Sequence, residues 1–307
     1  MTRAFLREFL HASLIMTGFV LWGFHAALLD GGTAAYSAPK RVPEALVSMG
    51  EKLYQIQPAI AVGVEAVKRG VFPAWTPLAG GGSPLLGKMQ NGLLAPLHLP
   101  YYVLPLAWLP GLYMLVIFLQ AYCGFAFTYL YSRLLGLRFP AATCAGVLYA
   151  FSSRMFVETL FGSWGSGLYL PLLLLLVELY FRGGKRLALF LWPLAVAFPL
   201  VSGHIESAIR ICAVAAGAFV LHLALEKETT WRQKAVGAAA FAVASLVGAG
   251  LGACQLVPSS EYLNLSYNKV WRTIPDFGWR YMTFSKTLSG EDTPMLALGC
   301  ACALAGL

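Results

Sequence analysis

Apolar stretches near or above the ~20 residues needed to cross a bilayer recur along this chain, and they restrict its fold more than any other feature. They read as spans at about Phe9–Leu29, Leu109–Leu130, Pro140–Phe151, Leu168–Tyr180, Leu187–Val201, Ser207–Leu225 and Ala235–Val257, with an eighth starting near Pro294. In hydrocarbon every backbone N–H and C=O must be paired within the protein, so apolar runs of this kind form helices. Composition agrees. The chain is 58% hydrophobic and 12% charged, about half the charge of a soluble domain. The fold class is therefore an all-α polytopic membrane protein, a single transmembrane domain over residues 1–307 with about eight spans. The eighth run is cut off at Leu307, short of a full crossing, so the sequence reads as the N-terminal part of a longer protein.

The net charge of +8 does not point to nucleic acid, because the basic residues sit mostly in short loops between spans. Arg3 and Arg7, Arg133 and Arg138, Arg182, Lys185 and Arg186, and Lys227, Arg232 and Lys234 fall on one side under strict alternation. The positive-inside rule makes that side cytoplasmic and places the N-terminus there. The expected location is the inner (cytoplasmic) membrane, with membrane lipid as a partner. Met1–Glu8 with the run after it could resemble a signal peptide, but the run is longer than an h-region and lacks a small-x-small cleavage site. An uncleaved first helix is expected. Prolines 96, 100 and 105 break the apolar piece Leu97–Trp108, which reads as re-entrant or interfacial. The six cysteines lie inside apolar spans without metal spacing and read as small core residues.

Two long segments interrupt the spans, residues 30–96 and 258–293, and both are expected on the extracytoplasmic side. The first holds an amphipathic run (Leu53, Ile56, Ile60, Val64, Val67), three aromatics (Tyr54, Phe72, Trp75), and the acids Glu51 and Glu65. Loops of this length in a compact fold are usually functional or disordered. This one reads as a partly helical cap over a site. Gly80-Gly81-Gly82 lacks the GxxxxGK[ST] pattern and reads as a turn that doubles the loop back.

His204, Glu206 and Arg210 form a second cluster at the start of the sixth span. Glu206 falls in the first helical turn, near the positive dipole end, and Arg210 lies one turn further on the same face. Two roles stay open. Either Glu206 and Arg210 pair while His204 caps the turn, or His204 and Arg210 meet an anionic ligand. Arg154 and Glu158 after the third span, and Gln255 and Glu261 closing the seventh, either line the same cleft or cap helices. Trp164 reads as an interfacial anchor.

Gly50-Glu51 with Gln55 and Pro58, then Gly70-Val-Phe-Pro73-Ala-Trp75-Thr-Pro77, Gly81-Gly82, Pro84-Leu85, Gln90, Gly92 and Pro96, resembles the first outer loop of the YfhO family of bacterial membrane proteins. Tyr149-Ala-Phe-Ser152, Ser202-Gly203-His204 and Gln255-Leu-Val-Pro258-x-x-Glu261 follow in the family's order. Glu51 stands where the family usually has Asp, and Thr76 where it usually has Asn. The resemblance implies a GT-C-like helix bundle and a membrane glycosyltransferase. Such an enzyme moves a sugar from a polyprenyl-phosphate carrier to a cell-envelope polymer or glycolipid acceptor on the outer face.

That chemistry needs a carboxylate to take the acceptor proton and cations or dipoles for the leaving phosphate. Glu51 is the expected base, and Asp30, at the end of the first span, is the alternative. Gln55, Trp75, Gln90, Arg154, His204, Glu206, Arg210, Gln255 and Glu261 are the expected substrate contacts. No cofactor is implied beyond the lipid-linked sugar donor, and the absence of a DxD motif leaves a divalent metal without support. Two other classes compete, a lipid or polysaccharide transporter or flippase and a non-catalytic scaffold. A transporter would show inverted repeats and broken helices near mid-membrane. The polar groups here gather instead toward one face.

Overall fold

The computed structural model describes residues 3–23, 55–152, 155, 165–227 and 229–266. These residues form α1 (Arg3–Gly23), α2 (Gln57–Lys68), the paired strands β1 (Trp75–Thr76) and β2 (Ser83–Pro84), and the short α3 (Leu99–Val103). Then come α4 (Leu109–Leu134), α5 (Phe139–Ala150), α6 (Leu170–Phe181), α7 (Lys185–Val201), α8 (Ile205–Leu225) and α9 (Trp231–Leu265). Proline opens α2, α3, α4, α5 and α6, where its missing N–H is one the helix start leaves unpaired anyway. Thr230 and Gln233 close a reciprocal capping box at the start of α9.

Four helices are long and apolar enough to cross a membrane: Arg3–Trp22, Gly111–Leu134, Ile205–Leu225 and Trp231–Leu265. The described residues are those of an all-α membrane protein, with β1–β2 a small hairpin within it. The third, fourth and fifth expected spans fold as α5, α6 and α7, of 12, 12 and 17 residues. At ~1.5 Å per residue the first two are about 18 Å long and α7 about 26 Å, against a ~30 Å hydrocarbon core. The eighth expected span lies outside the described residues.

The sequence reading ends the seventh span at Val257 and opens the second long loop at Pro258. The helix instead runs through Pro258 to Leu265 and reaches 35 residues. At ~1.5 Å per residue it is about 52 Å long, well beyond the bilayer core. Pro258 removes one backbone donor without ending the helix, as Pro193 and Pro199 do inside α7.

Three apolar clusters hold the molecule together. Tyr113, Ile117, Phe125 and Tyr129 of α4 pack with Ala12 and Met16 of α1 and Ala142 of α5. Leu173, Val177, Trp192, Val196, Phe219 and Phe241 join α6, α7, α8 and α9. The seam between α7 and α9 is close: a Cβ added at Gly248 would stand 2.7 Å from the Pro193 carbonyl oxygen. Trp192 Nε1 donates to Ser245 Oγ across the same seam at 2.8 Å.

The third cluster makes the cap. Ile56, Ile60 and Val64 bury one face of α2 against Leu85, Leu86, Leu93, Tyr101 and the start of α4 at Leu112 and Val116. The expected amphipathic run is thus the inner face of the cap, except that Val67 is exposed and Leu53 is outside the described residues.

Ion pairs gather the opposite helix ends. Arg133 Nη2 of α4 meets Glu8 Oε2 of α1 at 2.7 Å. Buried Glu178 of α6 pairs with Arg182, and His222 Nε2 of α8 stands 3.3 Å from its other carboxylate oxygen. The basic turns therefore collect at one end of the bundle and the cap at the other.

Candidate functional site

The cap closes over a cavity of about 780 Å³. Its walls are the start of α2, the β1–β2 hairpin, the loop Leu85–Asn91, the turn into α8 and the last turns of α9. Ligand pockets commonly span ~300–1,000 Å³ and combine apolar lining with a few polar groups. Here Ile56, Ala59, Val62, Leu256 and Leu263 supply the apolar part. Lys88, His204 and Glu206 supply the titratable groups, with Gln55, Gln90, Ser259, Ser260 and Tyr262 around them.

The hairpin exists because three glycines stand side by side. Gly80, Gly81 and Gly82 have φ of 59°, 80° and 124°, conformations that a β-carbon makes costly. The chain therefore reverses, and Trp75 pairs with Pro84 and Thr76 with Ser83. The Trp75 ring lies over Gly82, where an added Cβ would approach within 2.5 Å. Thr76 is buried, and its Oγ1 accepts from Leu78 N at 3.2 Å, a side-chain turn of the sort Asn also makes.

The next loop is held by buried amides. Asn91 Nδ2 donates to the Leu85 carbonyl at 2.7 Å, and Gln255 Nε2 donates to the Leu86 carbonyl at 2.6 Å and Ser259 Oγ at 2.9 Å. Gly87 lies flat on α9, where an added Cβ would stand 3.3 Å from the Pro258 oxygen. Further along, Tyr102 donates to the Leu93 carbonyl at 2.5 Å. Burial pushes its phenol up to about 12, so the donor proton stays in place. These bonds fix the backbone on both sides of Lys88, whose side chain is then presented to the cavity.

Gly203, with φ 105°, makes the turn between α7 and α8. His204 follows as the N-cap, and its Nδ1 accepts from Ser207 N at 3.1 Å. Arg210 Nη2 reaches Glu206 Oε2 at 3.4 Å, with both side chains about half exposed. The pairing and capping arrangement is thus present, while His204 and Glu206 also line the cavity.

Gln55, Gln90, His204 and Glu206 come together here from distant parts of the sequence. Other expected contacts fall elsewhere. Gln255 is 1% exposed and holds the loop from behind. Trp75 covers the hairpin turn, and neither Arg210 nor Glu261 lines the cavity; both are exposed. Glu51, Asp30, Arg154, Glu158 and Trp164 lie outside the described residues. Glu65 turns away to pair with Arg69 on the exposed side of α2.

Sequence reasoning missed Lys88, Ser259, Ser260 and Tyr262. A signal for Lys88 was there: it is the only Lys or Arg between Arg69 and Arg133. The other three were hidden by ending the helix at Pro258. Among the described residues no three His, Cys, Asp or Glu side chains cluster as metal ligands would. No protein-family model, curated protein or solved structure matches this chain.

Proposed function

We propose that this protein is a membrane glycosyltransferase that takes a sugar from a polyprenyl-phosphate carrier and passes it to a cell-envelope acceptor. The observation that carries this reading is the cavity at the cap end, where Lys88, His204 and Glu206 stand beside an apolar wall. A sugar phosphate with a prenyl tail asks for that combination. The reading also draws on the resemblance of the loop to YfhO-family proteins with a GT-C-like bundle. Thr76 supports it, since its hydroxyl makes the turn contact that an Asn at this position would make.

In the proposed reaction the acceptor oxygen attacks the sugar's anomeric carbon as the bond from that carbon to the phosphate oxygen breaks. The bonding electrons leave with the phosphate, and the acceptor proton passes to a carboxylate. Lys88 offsets the charge on the phosphate, and His204, whose Nδ1 accepts from Ser207 N, can donate to it through Nε2. Glu51, from the resemblance, and Glu206, from its place on the cavity, are the two candidate bases, with Asp30 behind them. The cap end then faces the extracytoplasmic side of the inner membrane, and the basic turns face the cytoplasm. A cavity at one end of the bundle favours this reading over a transporter, whose site would lie near the bilayer midplane.

The test is the fate of a radiolabelled polyprenyl-phosphate sugar given to membranes with and without the full-length protein. Label should move to an envelope polymer or glycolipid only where the protein is present. Equal transfer in both membranes removes the proposal.

A further inference from the structure

The cap has a second apolar face. Its inner face is buried against α4, but the segment after α2 turns Val71, Phe72, Trp75 and Leu78 outward, at 59%, 69%, 60% and 77% exposure. Leaving a large apolar side chain in water forgoes the free energy of its burial. Four large apolar side chains exposed within eight residues mark this segment as a contact surface.

What covers that face follows from where the cap is fastened. Lys68, at the end of α2, donates its Nζ proton to the carbonyl of Leu104. Leu104 immediately precedes Pro105 and the turn Leu106–Trp108 that leads into the membrane-spanning α4. On that turn's approach Val103 and Trp108 are also exposed. The outward face of the cap is therefore joined to the point where a spanning helix meets the membrane surface. Trp75 on the cap and Trp108 on the turn are rings of the kind that settle at the headgroup level, and Lys68 and Arg69 stand at the end of α2.

We propose that this face rests on the phospholipid bilayer, with Phe72, Trp75 and Leu78 seated at the boundary between headgroups and acyl chains. Leu78 also lines the cavity, so the cavity rim stands at the lipid surface. A ligand with an apolar tail reaches it sideways from the bilayer. The docking itself does not depend on what the cavity binds.

Site-specific photocrosslinking in native membranes tests it. The full-length protein carries p-benzoylphenylalanine at position 72, 78 or 264, one at a time. Asn264 is an exposed residue near the far end of the long α9 and serves as the water-side control. After irradiation, intact-mass analysis together with peptide mapping should find phospholipid adducts at 72 and 78 and none at 264. Adducts at 72 and 78 to residues 24–54 or 267–307 of the same chain, or to another protein, overturn the proposal, because the face is then covered by polypeptide. Equal lipid labelling at all three positions, or none at any, overturns it as well.

Discussion

The side-chain amide of Gln255 donates to the backbone carbonyl of Leu86 across 2.6 Å, joining the outer third of α9 to the cap over 169 positions of sequence. Gln255 is 1% exposed and its amide also reaches Ser259 Oγ. A buried carbonyl left without a donor costs ~1–3 kcal/mol. Gln255→Leu should therefore lower the thermal midpoint of the detergent-solubilised protein, and limited proteolysis should cut first between Leu85 and Asn91. An unchanged midpoint and cleavage pattern would show that this bond does not hold the loop.

The orientation prediction uses exposed positions at both ends. Single cysteines at Gln90 and Ser260, on the cap side, should react with an impermeant thiol reagent in intact cells. A cysteine at Arg186, in the basic turn beside Lys185, should react only after the cells are opened. Ser83 is a poor reporter because it is nearly buried in the hairpin. The reverse pattern would put the cavity on the cytoplasmic face.

Much of the architecture was legible because hydrophobic runs translate directly into helices. The first, second and sixth expected spans appear as α1, α4 and α8, and the buried stripe of α2 follows from Ile56, Ile60 and Val64 at helical spacing. The end of the seventh span was not legible, because the residues after Val257 are polar while the helix, packed along α7, continues through Pro258 and tolerates one lost hydrogen bond. Gln255 misled for a different reason. A polar residue near a helix end reads as a cleft contact, and only the fold shows that a carbonyl from the cap occupies it. His204 and Glu206 were legible as a helix start, but the cap residues facing them could not be paired from sequence, since no local pattern encodes a contact across more than a hundred residues.

Lys88 supplies the third prediction. It is the lone cation lining the cavity among the described Lys and Arg residues, and hydrogen bonds to charged groups are worth ~1.5–3 kcal/mol. With polyprenyl-phosphate sugar as the donor, Lys88→Gln should weaken donor use by roughly 10–100-fold, the rate equivalent of that energy. Lys88→Arg should recover part of it. The measurement is the donor concentration dependence of turnover, alongside the thermal midpoint. Equal donor dependence in Lys88→Gln and the parent would take Lys88 out of the site.

The last prediction separates the two candidate bases. Glu206 lines the cavity, but Arg210 engages its carboxylate at 3.4 Å. Glu51 comes from the loop resemblance, and the Gln55 that follows it in sequence does line the cavity. General-base contributions are typically ~10²–10⁴-fold. Glu51→Gln should therefore lower turnover by that order with donor binding near normal, while Glu51→Asp, the residue usual in YfhO-like loops, keeps activity. Glu206→Gln should mainly alter donor binding, and Asp30→Asn should cost much less than Glu51→Gln. The assay is single-turnover transfer with carrier binding measured in parallel. If Glu206→Gln is the inactive variant and Glu51→Gln is not, the proton goes to the start of α8, and Arg210 must release Glu206 when substrate binds.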